Sequence, residues 1–574
     1  MSDLREYIVT LESYDDLDQF YDDMETEGGN LYIPNRAVDL LNRRPVSRNT
    51  HYLLSDEEAE ILRQDSRVQH VTLNYIDQGF EIKPANHDYL LTTQSSTGGG
   101  WVKSLDDTTP TLLNSHLNWG VLRCTEGVPR VGWGNDNVTG SFFDAGNATA
   151  YLTNVGRNVD VVIVDGIIDP NHPEYKAAWY NASGNYSRVV RYNWYQHNPI
   201  VTGGAAGTYD YDGIFNNSAN IHNNDHGTHC AGTVAGSTLG WARAANIYNY
   251  YAYSDYNCFD YIREFHKNKA INSTKGVKNP TICNCSFVTT KTHKFADITQ
   301  IRYRGTLYDR PSGGWTDATL ATYGVWSVGS YASKEVSSVY RYAPFDADVL
   351  DAVNDGIIIV GAAGNDGMYE SLPGSIDYDN ALIDNGTAYF YHQGASPACA
   401  IGAITVGAIG AQQAANYSGA GSLLGNATCE PKAYYSNTGP RVNIYAPGSR
   451  IMSAYISNGV TDSRNSSYKL YKIDGTSMAT PQVTGVLACM LEIYPHANYQ
   501  DALNYLMKFC STNQIYDVSV SNFNNWFALR GGPNKYLRYN YDRKRTGLLH
   551  PNHEYAQFRS SEVRYPKSKI RRGG

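Results

Sequence analysis

The chain has 574 residues and a formal net charge of −9 at neutral pH, with 42% hydrophobic and 18% charged residues. That balance supports a sizeable packed core and excludes a general attraction to nucleic acid or to an anionic membrane. No apolar run reaches the ~18 residues that span a bilayer, and Met1-Ser2-Asp3-Leu4-Arg5-Glu6 is no basic-then-apolar leader, so synthesis and first residence in a cytoplasm are expected.

The first 80 or so residues read as a small α+β unit. Glu6 to Leu11 has the pattern of a strand, and Tyr14 to Glu25 that of an acidic helix with Leu17, Phe20, Tyr21 and Met24 on one face. Ser55-Asp56-Glu57-Glu58 is a capping-box start for a helix running to about Asp65, and Val68 to Tyr75 alternates as a half-buried strand. Residues 81–116, with Ser95-Ser96-Thr97 and Gly98-Gly99-Gly100, read as a flexible connection with room for a processing site.

Further along, Val159 to Val164 is an apolar run of the kind that forms a buried parallel strand, and Asp165 stands at its carboxyl end. Asp225-His226-Gly227-Thr228-His229-Cys230 offers His226 as a base that Asp165 can orient. His229 and Cys230 read as structural residues of the same helix, with Cys230 buried beneath His226. A second buried strand, from Gly356, ends in Ala363-Gly364-Asn365, where the Asn365 amide can donate to an oxyanion. Gly475-Thr476-Ser477-Met478-Ala479-Thr480-Pro481 places Ser477 where a loop becomes a helix. Val483, Val486, Leu487, Met490 and Leu491 continue at helical spacing, so the helix dipole favours negative charge developing near Ser477. Pro481 is compatible with a first turn, which has no N–H bond to lose. From 513 to 574 a basic, tyrosine-bearing tail is expected. The nine cysteines are odd in number and irregularly spaced, and read as mostly reduced thiols.

The order Asp165, His226, Ser477 is that of the subtilisin type of triad. With these motifs, and with Asn118-Trp119-Gly120, Asn171-His172-Pro173-Glu174, Ser396-Pro397-Ala398, Tyr435-Ser436-Asn437 and Ala446-Pro447-Gly448, the chain resembles the subtilases over about residues 117–512. The cysteine after the histidine motif and the Thr-Ser-Met-Ala-Thr-Pro run are closest in look to the proteinase K branch. The resemblance implies a three-layer α/β fold with a mostly parallel sheet, preceded by a propeptide-like α+β domain. It also implies a serine endopeptidase acting on protein or peptide substrates through Asp165, His226 and Ser477. Asn365 and the Ser477 N–H would form the oxyanion hole; Ser286, Phe287, Ala363 and Gly364 would bind substrate. Residues 1–80 would act as an intramolecular inhibitor. Chemistry of this type requires no cofactor, although subtilases often hold a structural Ca²⁺ in oxygen-lined loops; Asp210, Asp212 and Asp225 lie in a polar region, and no ligands are assigned.

Departures from the family pattern are equally specific. Asp165-Gly166-Ile167 replaces the usual Asp-Ser/Thr-Gly, and Asn284-Cys285-Ser286-Phe287-Val288-Thr289 lacks the glycines of the usual substrate-binding strand, which predicts a narrowed specificity pocket. Residues 288–350 read as an insertion near the cleft. These departures also leave an alternative, a catalytically quiet structural or binding protein on the same fold.

Overall fold

The computed structural model describes residues 4–33, 44–85, 101–104, 118–126, 149–152, 154–176, 186–253, 257–325, 334–411, 429–462, 464–517 and 526–539. The connection beyond residue 85 lies largely outside the described residues, as does the basic tail beyond 539.

The N-terminal unit is a three-stranded antiparallel sheet in which β1 (Arg5–Leu11) lies between β2 (Asn49–Leu54) and β3 (Val68–Leu73). Two helices, α1 (Leu17–Glu25) and α2 (Asp56–Leu62), cover one face. The alternation of β1 sorts its side chains: Tyr7, Val9 and Leu11 join Leu17, Phe20, Tyr21 and Met24 in the unit's own core, whereas Ile8 belongs to the core of the large unit. Ser55 accepts from the Glu58 N–H and Glu58 reaches back to the Ser55 N–H, so the capping box that starts α2 is complete.

The large unit is built on parallel strands in the order Val189–Val190, Asn246–Tyr251, Asp160–Asp165, Thr281–Cys285, Ile358–Ala362, Ala403–Ile409, Ile444–Pro447 and Lys535–Tyr536. The inner strands are almost wholly buried and mostly apolar because both faces are covered. Helices Ile221–Ala235 and Thr476–Ile493 pack on each other and on the sheet. Helices Cys258–Asn268 and Ala343–Asn354 pack on one another, the second against strands that Thr476–Ile493 also covers, which completes a three-layer α/β arrangement. Among the described residues no helix is long and apolar enough to cross a membrane.

Two expected boundaries move. The fold does not end at 512, because Lys535–Tyr536 inserts between Ile444–Pro447 and Ser511–Thr512, and Tyr536 is fully buried. Nor is the additional structure confined to 288–350. Within that range Ala343–Asn354 is a helix with a buried face against the central sheet, while Ala381–Asp384 and Thr387–Phe390, outside it, form one sheet with Ile298–Tyr303 and Thr306–Asp309.

The N-terminal sheet rests on the Ala343–Asn354 helix. Arg44 is fully buried between Asp260 and Asp348, at 2.8 and 2.7 Å. Ser47 and Asn49 add hydrogen bonds to Asp348 at 2.9 and 3.0 Å, and Arg48 and Tyr14 both reach Asp351. Glu81–Pro84, expected at the head of a flexible connection, is instead a strand, β4, paired with the large unit.

Candidate active site

Asp165 ends its strand fully buried, and one oxygen, Oδ1, accepts three hydrogen bonds: from the Gly166 N–H at 2.7 Å, His226 Nδ1 at 2.8 Å and the Tyr253 hydroxyl at 3.0 Å. A His226 Nδ1–H directed at the carboxylate leaves Nε2 as the acceptor of the neutral ring. Nε2 is buried and has no partner among the described residues. Glycine follows Asp165 for a steric reason. The strand end and the histidine helix approach so closely that a Cβ at Gly166 would strike the Asn223 backbone, and one at Gly227 would strike Gly166. The family's serine or threonine cannot be accommodated there. Tyr253, which sequence reasoning did not single out, supplies the additional donor. Burial first, and then the Asp165 carboxylate, pushes its hydroxyl well above the ordinary tyrosine range, so it stays a donor.

Ser477 is the second residue of the Thr476–Ile493 helix. Its hydroxyl donates to the Ser286 carbonyl at 2.8 Å, so the Ser477–His226 hydrogen bond is not made in this state. The Ser477 N–H donates to the carbonyl of Ala85 at 2.9 Å. Asn365 is oriented from the same helix start: its Oδ1 accepts from the N–H and the hydroxyl of Thr476, both at 2.9 Å. Its Nδ2 is therefore left as a donor, buried and without a partner among the described residues. Gly364 holds a positive φ of 113° just before it, with no room for a Cβ beside Asn437 and Val339.

The chain's own residues 81–85 lie along this site as an extended peptide. Strand β4 pairs antiparallel with Phe287–Lys294, Pro84 opposite Phe287, Lys83 opposite Val288 and Ile82 opposite Thr289. Ala85 continues the line, donating its N–H to the Ser286 carbonyl at 3.0 Å, and is buried among Val288, Val339, Ala362 and Ala395. Of the residues expected to bind substrate, Ser286 meets this peptide through its carbonyl. Phe287 meets it through strand pairing, its ring turned into the core against Tyr253 and Phe345. Ala363 lies in the main core, and Ala362 packs beside Ala85 instead. Val288 and Thr289 stand where the family pattern has glycines, and Val288 is one of the side chains packed around Ala85.

Cys230 is fully buried, 3.9 Å from His226 Nδ1 and donating to the Ser477 carbonyl at 3.6 Å. Burial pushes its thiol pKa well up, so it is held as a thiol. His229 donates to the Ile451 carbonyl at 2.8 Å, and burial lowers its pKa to about 3, which fixes it as a neutral structural residue. Asp210 caps a short helix at Gly213, Asp212 pairs with Arg191, and Asp225 holds the N–H groups of Ile456 and Ser457. These three carboxylates thus serve three different partners.

Known proteins share this arrangement in sequence. The profile of the subtilase family of peptidases matches residues 156–522. A subtilisin-like protease of Coccidioides posadasii is 27% identical over 369 residues, 64% of this chain and 50% of the relative. The subtilisin-like serine protease Pen c 2 of Penicillium citrinum is 25% identical over 353 residues, 62% and 52% of the two chains. An extracellular serine proteinase of a Thermus species is 27% identical over 306 residues, 53% and 50%. The chain thus spans about half the length of the curated relatives it matches. Among solved structures, a cold-adapted subtilisin-like serine proteinase matches at 19% identity and a TM-score of 0.40, covering 75% of this chain and 100% of its own. Fervidolysin of Fervidobacterium pennivorans, a keratinolytic enzyme related to subtilisin, matches at 16% and 0.45, covering 92% and 60%. With the profile spanning more than half of its length, this chain belongs to the subtilase family.

Proposed function

We propose that the protein is a serine endopeptidase whose own residues 81–85 lie in its cleft as a bound peptide, and that it cuts itself between Ala85 and Asn86. The observation that carries this reading is the pair of backbone bonds at Ala85: its N–H to Ser286 and its carbonyl oxygen to the Ser477 N–H. A carbonyl held by the N–H of the nucleophile, with the Asn365 amide left to donate, is polarised for attack.

In the reaction, the Ser477 hydroxyl turns from the Ser286 carbonyl to His226 Nε2, which takes its proton as Oγ bonds to the carbonyl carbon. Asp165 holds the ring in the required tautomer and stabilises the imidazolium. The tetrahedral oxyanion is held by the Ser477 N–H and Asn365 Nδ2. Collapse expels the amine, protonated by His226, and leaves an acyl-enzyme; water activated by the same base then releases the acid and restores Ser477. The small pocket around Ala85 favours a small side chain at the residue that supplies the carbonyl. Docked this way, the N-terminal unit blocks the cleft against other substrates.

The test is the N-terminal sequence and intact mass of the purified chain beside Ser477→Ala. The active chain is expected to yield a new terminus at Asn86, with fluorophosphonate labelling of Ser477, and Ser477→Ala to stay whole. The hydroxyl turned to Ser286 is what favours the quiet-scaffold reading. A folded wild-type chain that neither labels nor cleaves would establish that reading instead.

A further inference from the structure

Upstream of β4 the docked segment makes a contact that its own unit does not need. Phe80 is only 7% exposed and belongs to the core of the large unit, not to that of the N-terminal unit. Its ring stacks on Tyr340 with centroids 5.8 Å apart and planes 12° from parallel. Tyr342 and Tyr389 meet it edge-on at 6.1 and 6.2 Å. One ring is therefore faced by a stacked neighbour and two perpendicular ones, the geometries that the charge distribution of aromatic rings favours.

Two walls of the box are anchored within the large unit. Tyr340 is fixed through its hydroxyl to His293 Nε2 at 2.9 Å. Tyr389 receives Lys291, whose ammonium donates to its hydroxyl at 3.0 Å and also to the Gln78 carbonyl at 2.7 Å. Backbone recognition thus extends past Phe80 on residues of the substrate-pairing strand itself. In the segment between, Glu81 and Lys83 are exposed and Ile82 and Pro84 half-buried, so Phe80 and Ala85 are its two buried anchors.

We propose that Tyr340, Tyr342 and Tyr389 form a substrate subsite that selects an aromatic side chain five positions before the residue occupying Ala85's place. This rests on the reading that the Ala85 carbonyl marks the scissile bond. The additional strands of the large unit thereby gain a role: they carry specificity outward from the reacting atoms, toward substrates with an aromatic residue, four further residues and then a small one.

The experiment uses the self-processed wild-type enzyme and peptides of the sequence of residues 77–88, with Phe, Leu or Ala at the position of Phe80. The Ala peptide is expected to lose at least tenfold in kcat/KM against the Phe peptide. In Tyr389→Ala enzyme that ratio should collapse toward one, and in Tyr389→Phe it should persist. Equal kcat/KM for the Phe and Ala peptides on wild-type enzyme overturns the subsite while leaving the peptidase standing. If no peptide is cleaved and Ser477 does not label, the peptidase reading falls, and the box is tested without turnover. In the full Ser477→Ala chain, adding Phe80→Ala should speed amide hydrogen exchange across residues 81–85 by at least tenfold, and unchanged exchange overturns the box as a binding site.

Discussion

Asp165 meets His226 through an oxygen that it shares with Gly166 and Tyr253, so part of what orients the imidazole is a hydroxyl from a separate loop. Tyr253→Phe removes that donor and little volume. A hydrogen bond to a charged group contributes about 1.5–3 kcal/mol, which predicts a fall in kcat of about tenfold or more with KM little changed, read by steady-state kinetics. Asn365→Ala removes the side-chain donor proposed for the oxyanion hole. The equivalent loss in subtilisin costs about 10²–10³ in kcat, a value taken over from that relative, and the same fall is expected here. If Asn365→Ala keeps more than half its activity, the amide serves only the turn at Thr476. The residues Asp165, His226, Asn365 and Ser477 were legible in the sequence because the small residues that let chain segments approach surround each of them. Tyr253 was not, since one tyrosine among 47 carries no local signal and its role is created by a loop folding back.

At the scale of elements, the capping box and the amphipathic face of α1 announced both helices of the N-terminal unit. Strand β2 gave no such signal, because Asn49 and His51 are buried against another unit and not exposed on alternate positions as the usual pattern requires. The same reason hides Lys535–Tyr536, whose partners lie far back in the chain. Buried ion pairs are part of what docks the N-terminal unit. Arg44→Ala would leave Asp260 and Asp348 buried without their cation, and breaking a buried ion pair from one side costs about 3–5 kcal/mol. In the full Ser477→Ala chain this predicts hydrogen exchange in β1 to β3 faster by 10² or more, with the Thr476–Ile493 helix unaffected. Equal exchange would mean that the apolar contacts alone hold the unit down.

Across the whole molecule, buried neutral histidines weaken the fold in acid. His229 is pushed down to about 3 by burial, and His51, buried in the N-terminal unit beside Glu6, is lowered in the same direction. A histidine whose folded pKa lies below its ordinary value of 6.5 contributes its full stability above that pH and loses it as pH falls toward the folded pKa. Each pH unit of that window is worth about 1.4 kcal/mol per such group. Buried carboxyls act in the opposite sense, since burial raises Asp366 to about 7 and Glu370 to about 8, so the histidine share is read by difference. Adding His51→Gln to the Ser477→Ala chain should make the melting temperature fall less, or rise more, between pH 7.5 and pH 5, and an unchanged difference would show that His51 does not govern acid stability.

The pairing of β4 with Phe287–Lys294 has one more consequence. Without β4, that strand would present a row of unpaired N–H and C=O groups, the kind of open sheet border through which chains adhere to one another. Under the proposed function this border is also where substrates pair, so it cannot stay covered in the active enzyme. On that reading one segment closes two things at once, the cleft and the sheet border, and its release exposes both together.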